Sequence, residues 1–203
     1  MKLYFSPGAC SLSPHIVLRE LGMQFDTEKV NLADKKTASG GDYRQINPKG
    51  YVPALQLDSG EVLTEGPAIV QYLADQAPEK HLAPPAGTME RYRLVEWLNF
   101  ISTELHKTFS PLFKPATPEE SKKTALDTIA LRLDFVEQQL QGRDFLTGNL
   151  FTVADAYMFT ILGWARHVKL DLGRWPAVHG FHQRVAERPA VKAALVAEGL
   201  IKE

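Results

Sequence analysis

One cysteine, Cys10, is all the thiol chemistry available to this chain of 203 residues, so an intrachain disulfide is excluded. Ser13 stands where the second sulfur of a C-x-x-C motif would be, which removes intramolecular disulfide cycling as well. A surplus of charge is also missing: 23 Lys plus Arg face 24 Asp plus Glu, leaving no net field to recruit nucleic acid or an anionic membrane surface. There is no run of about 18 apolar residues to span a bilayer, and the opening "MKLYFSPGACS" is interrupted by Pro7 and Gly8 before it reaches the length of a signal core. Neither GxGxxG nor GxxxxGK[ST] occurs, so nucleotide binding has no support. What remains is ordinary globular composition, 44% hydrophobic, and the expectation of a soluble cytoplasmic protein in a reducing compartment, with no nucleic-acid or membrane partner.

Periodicity divides the chain in two. "KLYF" is a short β-prone run stopped by the turn composition "SPGA"; Leu12, Ile16, Val17 and Leu21 then recur at helical spacing, and Gly22 ends the pattern. A second extended run spans residues 25–32, followed by the polar stretch 33–51. "VPALQLD" and "VLTE" flank a turn, and a helix opens at "EGPAIVQYLADQ". This order suits an α/β domain at residues 1–80 with a mixed four-stranded sheet. Pro78, Pro84, Pro85 and Gly87 punctuate the boundary, and residues 81–87 read as a linker. Beyond it every strong periodicity is helical, near 89–109, 118–141, 153–168, 176–186 and 189–197, which predicts an all-α bundle over 88–203.

Within that bundle "FTVADAYMF" carries capping-box spacing, Thr152 with Asp155, flanked by apolar residues. Its expected role is structural, worth about 1 kcal/mol or somewhat more.

Cys10 lies at or just before the first helix, where open amides and the macrodipole favour a thiolate. The dipole alone moves a thiol by under about one pKa unit, so a more reactive sulfur needs a second donor; the plainer alternative is a small buried hydrophobe. Pro53 cannot donate to a ladder and implies an irregular or edge backbone, a cis bond among the options, that would free Val52 for a peptide-like ligand; a strand-initiating proline is the plainer alternative. Glu65 before Gly66 and Pro67 puts a carboxylate beside a helix start, which would suit an amino-acid headgroup or serve as a simple cap. Leu94, Leu98, Ile101 and Leu105 share one stripe of their helix, predicted to face the core, while Asn99, Thr103 and His106 share another, either solvated or turned to the site. His179 and His182 stand three apart without a third metal ligand, and Lys35 lies in a polar loop.

Taken together, "SPGACSLSPHI", "NPKGYVPAL", "LTEGPAIVQYLAD", "ELHK" and "FTVADAY", in this order over nearly the full length, resemble the bacterial glutathione transferases of the beta class. The resemblance implies a thioredoxin-like N-terminal domain, an all-α C-terminal domain and a homodimer. It implies glutathione as co-substrate, no metal, and attack of the glutathione thiolate on hydrophobic electrophiles in a detoxifying role. By the same resemblance Cys10 contacts the glutathione sulfur and can form a mixed disulfide with it, and His106 lies near that sulfur. Val52 pairs with the cysteinyl backbone, Glu65 and Gly66 hold the γ-glutamyl end, and Lys35 reaches a carboxylate. Asn99, Thr103, Glu104, Leu105 and His106 line the other side. Many transferases carry Ser where this chain has Gly66, so here only the backbone amide can serve. The electrophile is expected between the domains, towards Phe109, Phe113, Tyr157 and Trp164. Thiol transfer and reductive dehalogenation remain alternatives, as does a non-catalytic regulatory or ligand-binding protein of the same fold.

Overall fold

The computed structural model describes residues 1–202, which form two compact units. The first contains Met1–Ala83 and the residues from Glu187 onward; the second contains Pro84–Ala186. No described helix is long and apolar enough to cross a membrane.

In the first unit "KLYF" becomes β1 (Lys2–Phe5). Pro7 and Gly8 then turn the chain into α1 (Leu12–Glu20), where Pro14 sits harmlessly in the first turn. Gly22, at φ 68°, ends the helix by letting its own amide and that of Met23 return to the carbonyls of Arg19 and Leu18. Next come β2 (Asp26–Asn31), β3 (Lys36–Thr37), β4 (Ala54–Gln56), β5 (Val62–Thr64) and α2 (Gly66–Asp75). The sheet order is β3-β2-β1-β4-β5, with β1 parallel to β2 and every other pairing antiparallel. Leu3 therefore lies between Thr27 and Leu55 in register. Leu3, Ile16, Val17, Leu55, Ile69 and Leu73 are fully buried, and α1 packs against α2. The four strands expected are joined by a fifth: β3 is two polar residues long, too short to show any alternation.

In the second unit α3 (Met89–Phe100) starts at Thr88, whose hydroxyl accepts the Arg91 amide at 3.2 Å. The helix runs on as a π-helical turn, Ile101–His106, marked by the Lys107 amide bonding back five residues to the Ser102 carbonyl, and then as α4 (Lys107–Phe109). Leu94, Leu98, Ile101 and Leu105 all face the core. They are followed by α5 (Glu119–Leu140), α6 (Val153–Leu162) and α7 (Pro176–Ala186). Every residue of α6 is buried. The Glu137 carboxylate of α5 accepts the amides of Ala177 and Val178, closing the open start of α7.

The last helix, α8 (Pro189–Ala197), groups with the first unit although it lies within the 88–203 stretch read from sequence as all-α. It packs along α1. Glu198, fully buried, accepts the Gly8 amide at 2.9 Å through one oxygen and binds His15 Nδ1 at 2.9 Å through the other. Arg19 Nε donates to His15 Nε2 at 3.0 Å; since a guanidinium can only donate, His15 is neutral and carries its proton on Nδ1. Arg188 grips Glu20 with two nitrogens. These partners lie more than 160 residues apart, and helical periodicity does not reveal such pairings.

Candidate active site

Cys10 precedes the Ser11 cap of α1 and is half-buried. Its thiol donates to the Val52 carbonyl at 3.2 Å. The Val52–Pro53 bond is cis, and Val52 is buried in a cluster with Tyr4, Tyr43 and Ala54. The Tyr43 hydroxyl and the Asn47 amide group both donate to the Tyr51 carbonyl, at 3.0 and 2.7 Å, holding the loop that delivers Val52. The lowering expected from the helix start is opposed in this setting. Burial pushes the Cys10 thiol up to about 12 and the Glu65 charge adds to the rise, outweighing the lowering by the Cys10 and Ser11 amides. At neutral pH Cys10 is a protonated donor.

Glu65 enters α2 with φ 69° and ψ 114°, a conformation that a side-chain-bearing residue adopts only under constraint. Its Oε1 accepts from Lys49 Nζ at 2.5 Å and from the Tyr51 hydroxyl at 2.7 Å. Donating to the Glu65 carboxylate raises both Lys49 and Tyr51 above their ordinary ranges. Gly66 follows with its amide at the first position of the helix, Pro67 has none to give, and the amides of Ala68 and Ile69 already bond to the Glu65 carbonyl. Lys49 and Tyr51 are residues of this cluster that sequence reasoning passed over, although both lie inside "NPKGYVPAL". Lys35, half-buried and at φ 61°, runs its side chain past Gly50.

The second unit gathers a different set. His106, at the end of the π-helical turn, holds its Nδ1 2.6 Å from the Tyr157 hydroxyl and stands edge-on to Trp164 with ring centres 4.9 Å apart. Phe109, Phe113 and Trp164 complete an aromatic cluster with centres 5.5 to 6.4 Å apart. Phe109 and Tyr157 are buried, whereas Phe113 is exposed. On the same helix Asn99 and Thr103 are exposed, with the Thr103 hydroxyl turned back to the Asn99 carbonyl, and Glu104 pairs with Arg132 at 2.7 Å. Leu105 is fully buried, so its side chain belongs to the core stripe.

No group of three described His, Cys, Asp or Glu residues could hold a metal. His182 instead stacks on Phe159 with centres 4.6 Å apart, and burial, helped by His179 and Arg166, pushes it down to about 4. A histidine depressed on folding takes up protons more readily when unfolded, so stability falls as pH drops from about 6.5 towards 4. On moving from pH 7 to pH 5, His182→Gln should escape about 1–2 kcal/mol of the native protein's acid destabilisation; equal losses in urea unfolding would contradict this.

Residues 8–76 match the family described as glutathione S-transferase, N-terminal domain, and residues 100–189 the family described as glutathione S-transferase, C-terminal domain. The chain is 52% identical over 200 residues to glutathione S-transferase GstA of Escherichia coli O157:H7, covering 98% of this chain and 100% of that one. Among solved structures it matches BphK, a bacterial GST in a ternary complex, with a TM-score of 0.97 and 58% identity over 98% of this chain and 100% of the other. It matches the beta-class glutathione S-transferase of Sphingomonas chungbukensis with a TM-score of 0.96 and 50% identity, covering 99% and 100%. A protonated thiol beside a cis-proline turn, a carboxylate at a helix start and this likeness along the whole chain lead to one conclusion: the chain belongs to the glutathione S-transferases, in their bacterial beta class, and is an enzyme of glutathione conjugation.

Proposed function

We propose that Cys10 serves conjugation as a protonated hydrogen-bond donor to the glutathione sulfur and is not itself the nucleophile. The observation that carries this reading is the thiol donating to the Val52 carbonyl while burial holds its proton on. When glutathione binds, the thiol turns from that carbonyl to the ligand's thiolate, and the Val52 backbone pairs with the cysteinyl residue. A donor already in place lowers the energy of the thiolate, which then bonds to an electrophilic carbon as the leaving group departs. Glu65 takes the γ-glutamyl ammonium, Gly66 offers its amide, and Lys35 meets a carboxylate. In the second unit the Tyr157 hydroxyl holds the His106 ring by its Nδ1. The aromatic group of Phe109, Phe113, Tyr157 and Trp164 suits a hydrophobic electrophile.

The raised pKa makes Cys10 a slow partner in thiol-disulfide exchange, because the attacking species is the thiolate. A mixed disulfide forms when Cys10 attacks oxidised glutathione and expels one glutathione thiolate, a minor activity beside conjugation. We read the enzyme as cytoplasmic and detoxifying; the single thiol, which can form no internal disulfide, fits a reducing compartment. We read it as a homodimer, on the support of an apolar face on α3 and α5. There Tyr92, Leu131 and Phe135 are exposed and Trp97, Phe100 and Phe135 cluster with centres 5.3 to 5.9 Å apart.

The test is conjugation of chlorodinitrobenzene by native protein and by Cys10→Ala. Loss of one neutral donor is expected to cost about tenfold or less in kcat/KM, while exchange with a glutathione mixed disulfide disappears. A collapse of conjugation with unchanged glutathione affinity would make Cys10 the essential group and overturn the donor reading.

A further inference from the structure

Lys49 and Glu65 form an ion pair at 2.5 Å on the protein surface, with side chains 45% and 53% exposed. Exposed pairs of this kind contribute little to stability, and both partners remain open to solvent and to a ligand. Lys49 also donates to Thr64 Oγ1 at 3.0 Å, so the ammonium is held beside the residues that lead into α2. On the far side of Glu65 the start of α2 has little for an anion: Gly66 has an amide and no side chain, Pro67 has no amide, and the next two amides are taken. A carboxylate has lone pairs for about four hydrogen bonds, and one amide leaves most of them unmet.

We propose that Lys49 recognises the α-carboxylate of the γ-glutamyl group, so that Lys49 and Glu65 form a charge-matched pair selecting a substrate end that carries both an ammonium and a carboxylate. The proposal rests on the reading of Glu65 and Gly66 as the headgroup site and adds to it a specificity-determining residue. An α-amino acid bears its two opposite charges on one carbon. Glu65 takes the ammonium, and Lys49 turns one of its three donors to the carboxylate while remaining next to Glu65. Four charges of alternating sign then replace two, and each is paired. The Lys49 ammonium already lies where Glu65 attracts a cation, within reach of the carboxylate borne on the same carbon as that cation. Tyr51, donating to the same Oε1, fixes the carboxylate in position during the exchange.

The experiment compares glutathione with 4-aminobutanoyl-cysteinylglycine, which keeps the ammonium and the thiol but lacks the α-carboxylate. Dissociation constants are measured by calorimetry for native protein, Lys49→Gln, Lys49→Arg and Lys35→Gln. Native protein should prefer glutathione by about 30-fold or more, since a charge-assisted bond and an amide bond are both at stake. Lys49→Gln should lose about tenfold or more of that preference by weakening glutathione alone, and Lys49→Arg should restore most of it. Lys35→Gln, acting on another carboxylate, should weaken both ligands equally. If Lys49→Gln also weakens both ligands equally, Lys49 only props Glu65 and the proposal is wrong; no effect on either ligand overturns it too. If native protein does not distinguish the two peptides, the headgroup carboxylate is not read and the proposal falls, while glutathione binding itself stands. Failure of native protein to bind glutathione would remove the underlying site reading and the proposal with it.

Discussion

Asp155→Ala is expected to lose about 3–5 kcal/mol of folding free energy, several times what an exposed helix cap is worth. Asp155 is fully buried, and its two oxygens accept three hydrogen bonds: the Leu146 amide at 2.9 Å, the Thr152 amide at 2.7 Å and the Thr152 hydroxyl at 2.9 Å. The capping box expected from "FTVAD" is present. The bond to Leu146 goes further and ties the preceding loop to α6. Alanine would leave two buried amides and a hydroxyl without acceptors, each costing about 1–3 kcal/mol if water cannot reach it. Because α6 is buried along its whole length, little relief is available by fraying. In a chain of this size the loss corresponds to a fall in Tm of roughly 10 °C or more; a shift under about 3 °C would show that the network is decorative.

The same carboxyl has a pH signature opposite to that of His182. Burial pushes Asp155 up to about 6 in spite of its three donors. A carboxyl raised on folding holds its proton better than in the unfolded chain, so its contribution is full below about pH 4 and lost as pH rises through about 6. The contribution of His182 rises over nearly the same interval. A pH scan of the native protein therefore shows a flattened sum, and only the single variants Asp155→Asn and His182→Gln separate the two slopes.

Glu65→Gln should raise KM for glutathione by roughly 10- to 100-fold while leaving kcat within a few-fold of native, the pattern of a contact made equally in ground and transition states. Gln keeps the shape and an acceptor but loses the charge that an ammonium seeks. The backbone supplies an independent check. Glu65 at φ 69° carries a strain of about 1–3 kcal/mol, which Glu65→Gly should partly relieve. That variant is expected to be more stable than native yet weaker in binding, the mark of a residue retained for its ligand. A KM unmoved in Glu65→Gln, or a Glu65→Gly protein that unfolds more easily, would remove Glu65 from the headgroup site.

Local pattern carried most of the architecture. Gly22 marked the end of α1 because a left-handed residue is needed there, and Leu94, Leu98, Ile101 and Leu105 marked the buried face because leucine-rich spacing has few other uses. The strand β3 was invisible, since Lys36 and Thr37 are polar and owe their pairing to β2. The place of α8 was hidden for a different reason. Glu198 looks like any surface glutamate in sequence, and only its buried bonds to Gly8 and His15 assign it to the first unit. At the site, Cys10 stood out as the one thiol, but its setting depends on desolvation and on the carbonyl of Val52, which is distant in the chain. Lys49 escaped notice because a lysine in a polar loop is ordinarily solvated, and its tie to Glu65 spans sixteen residues.

The π-helical turn at Ile101–His106 makes chain length, more than residue type, the guarded quantity in this helix. A wide turn of this kind accommodates one residue beyond the α-helical count, and each residue in an α-helix advances the face by about 100°. Deleting one residue here would leave the backbone a fully bonded helix and cost little in hydrogen bonds. It would nevertheless rotate the two flanks against each other, so that Leu94 and Leu98 before the turn and His106 at its end could not all keep their partners. Removing Thr103 would therefore break the pairing of His106 with Tyr157 where replacing it would not, and relatives that preserve that pairing should preserve this spacing.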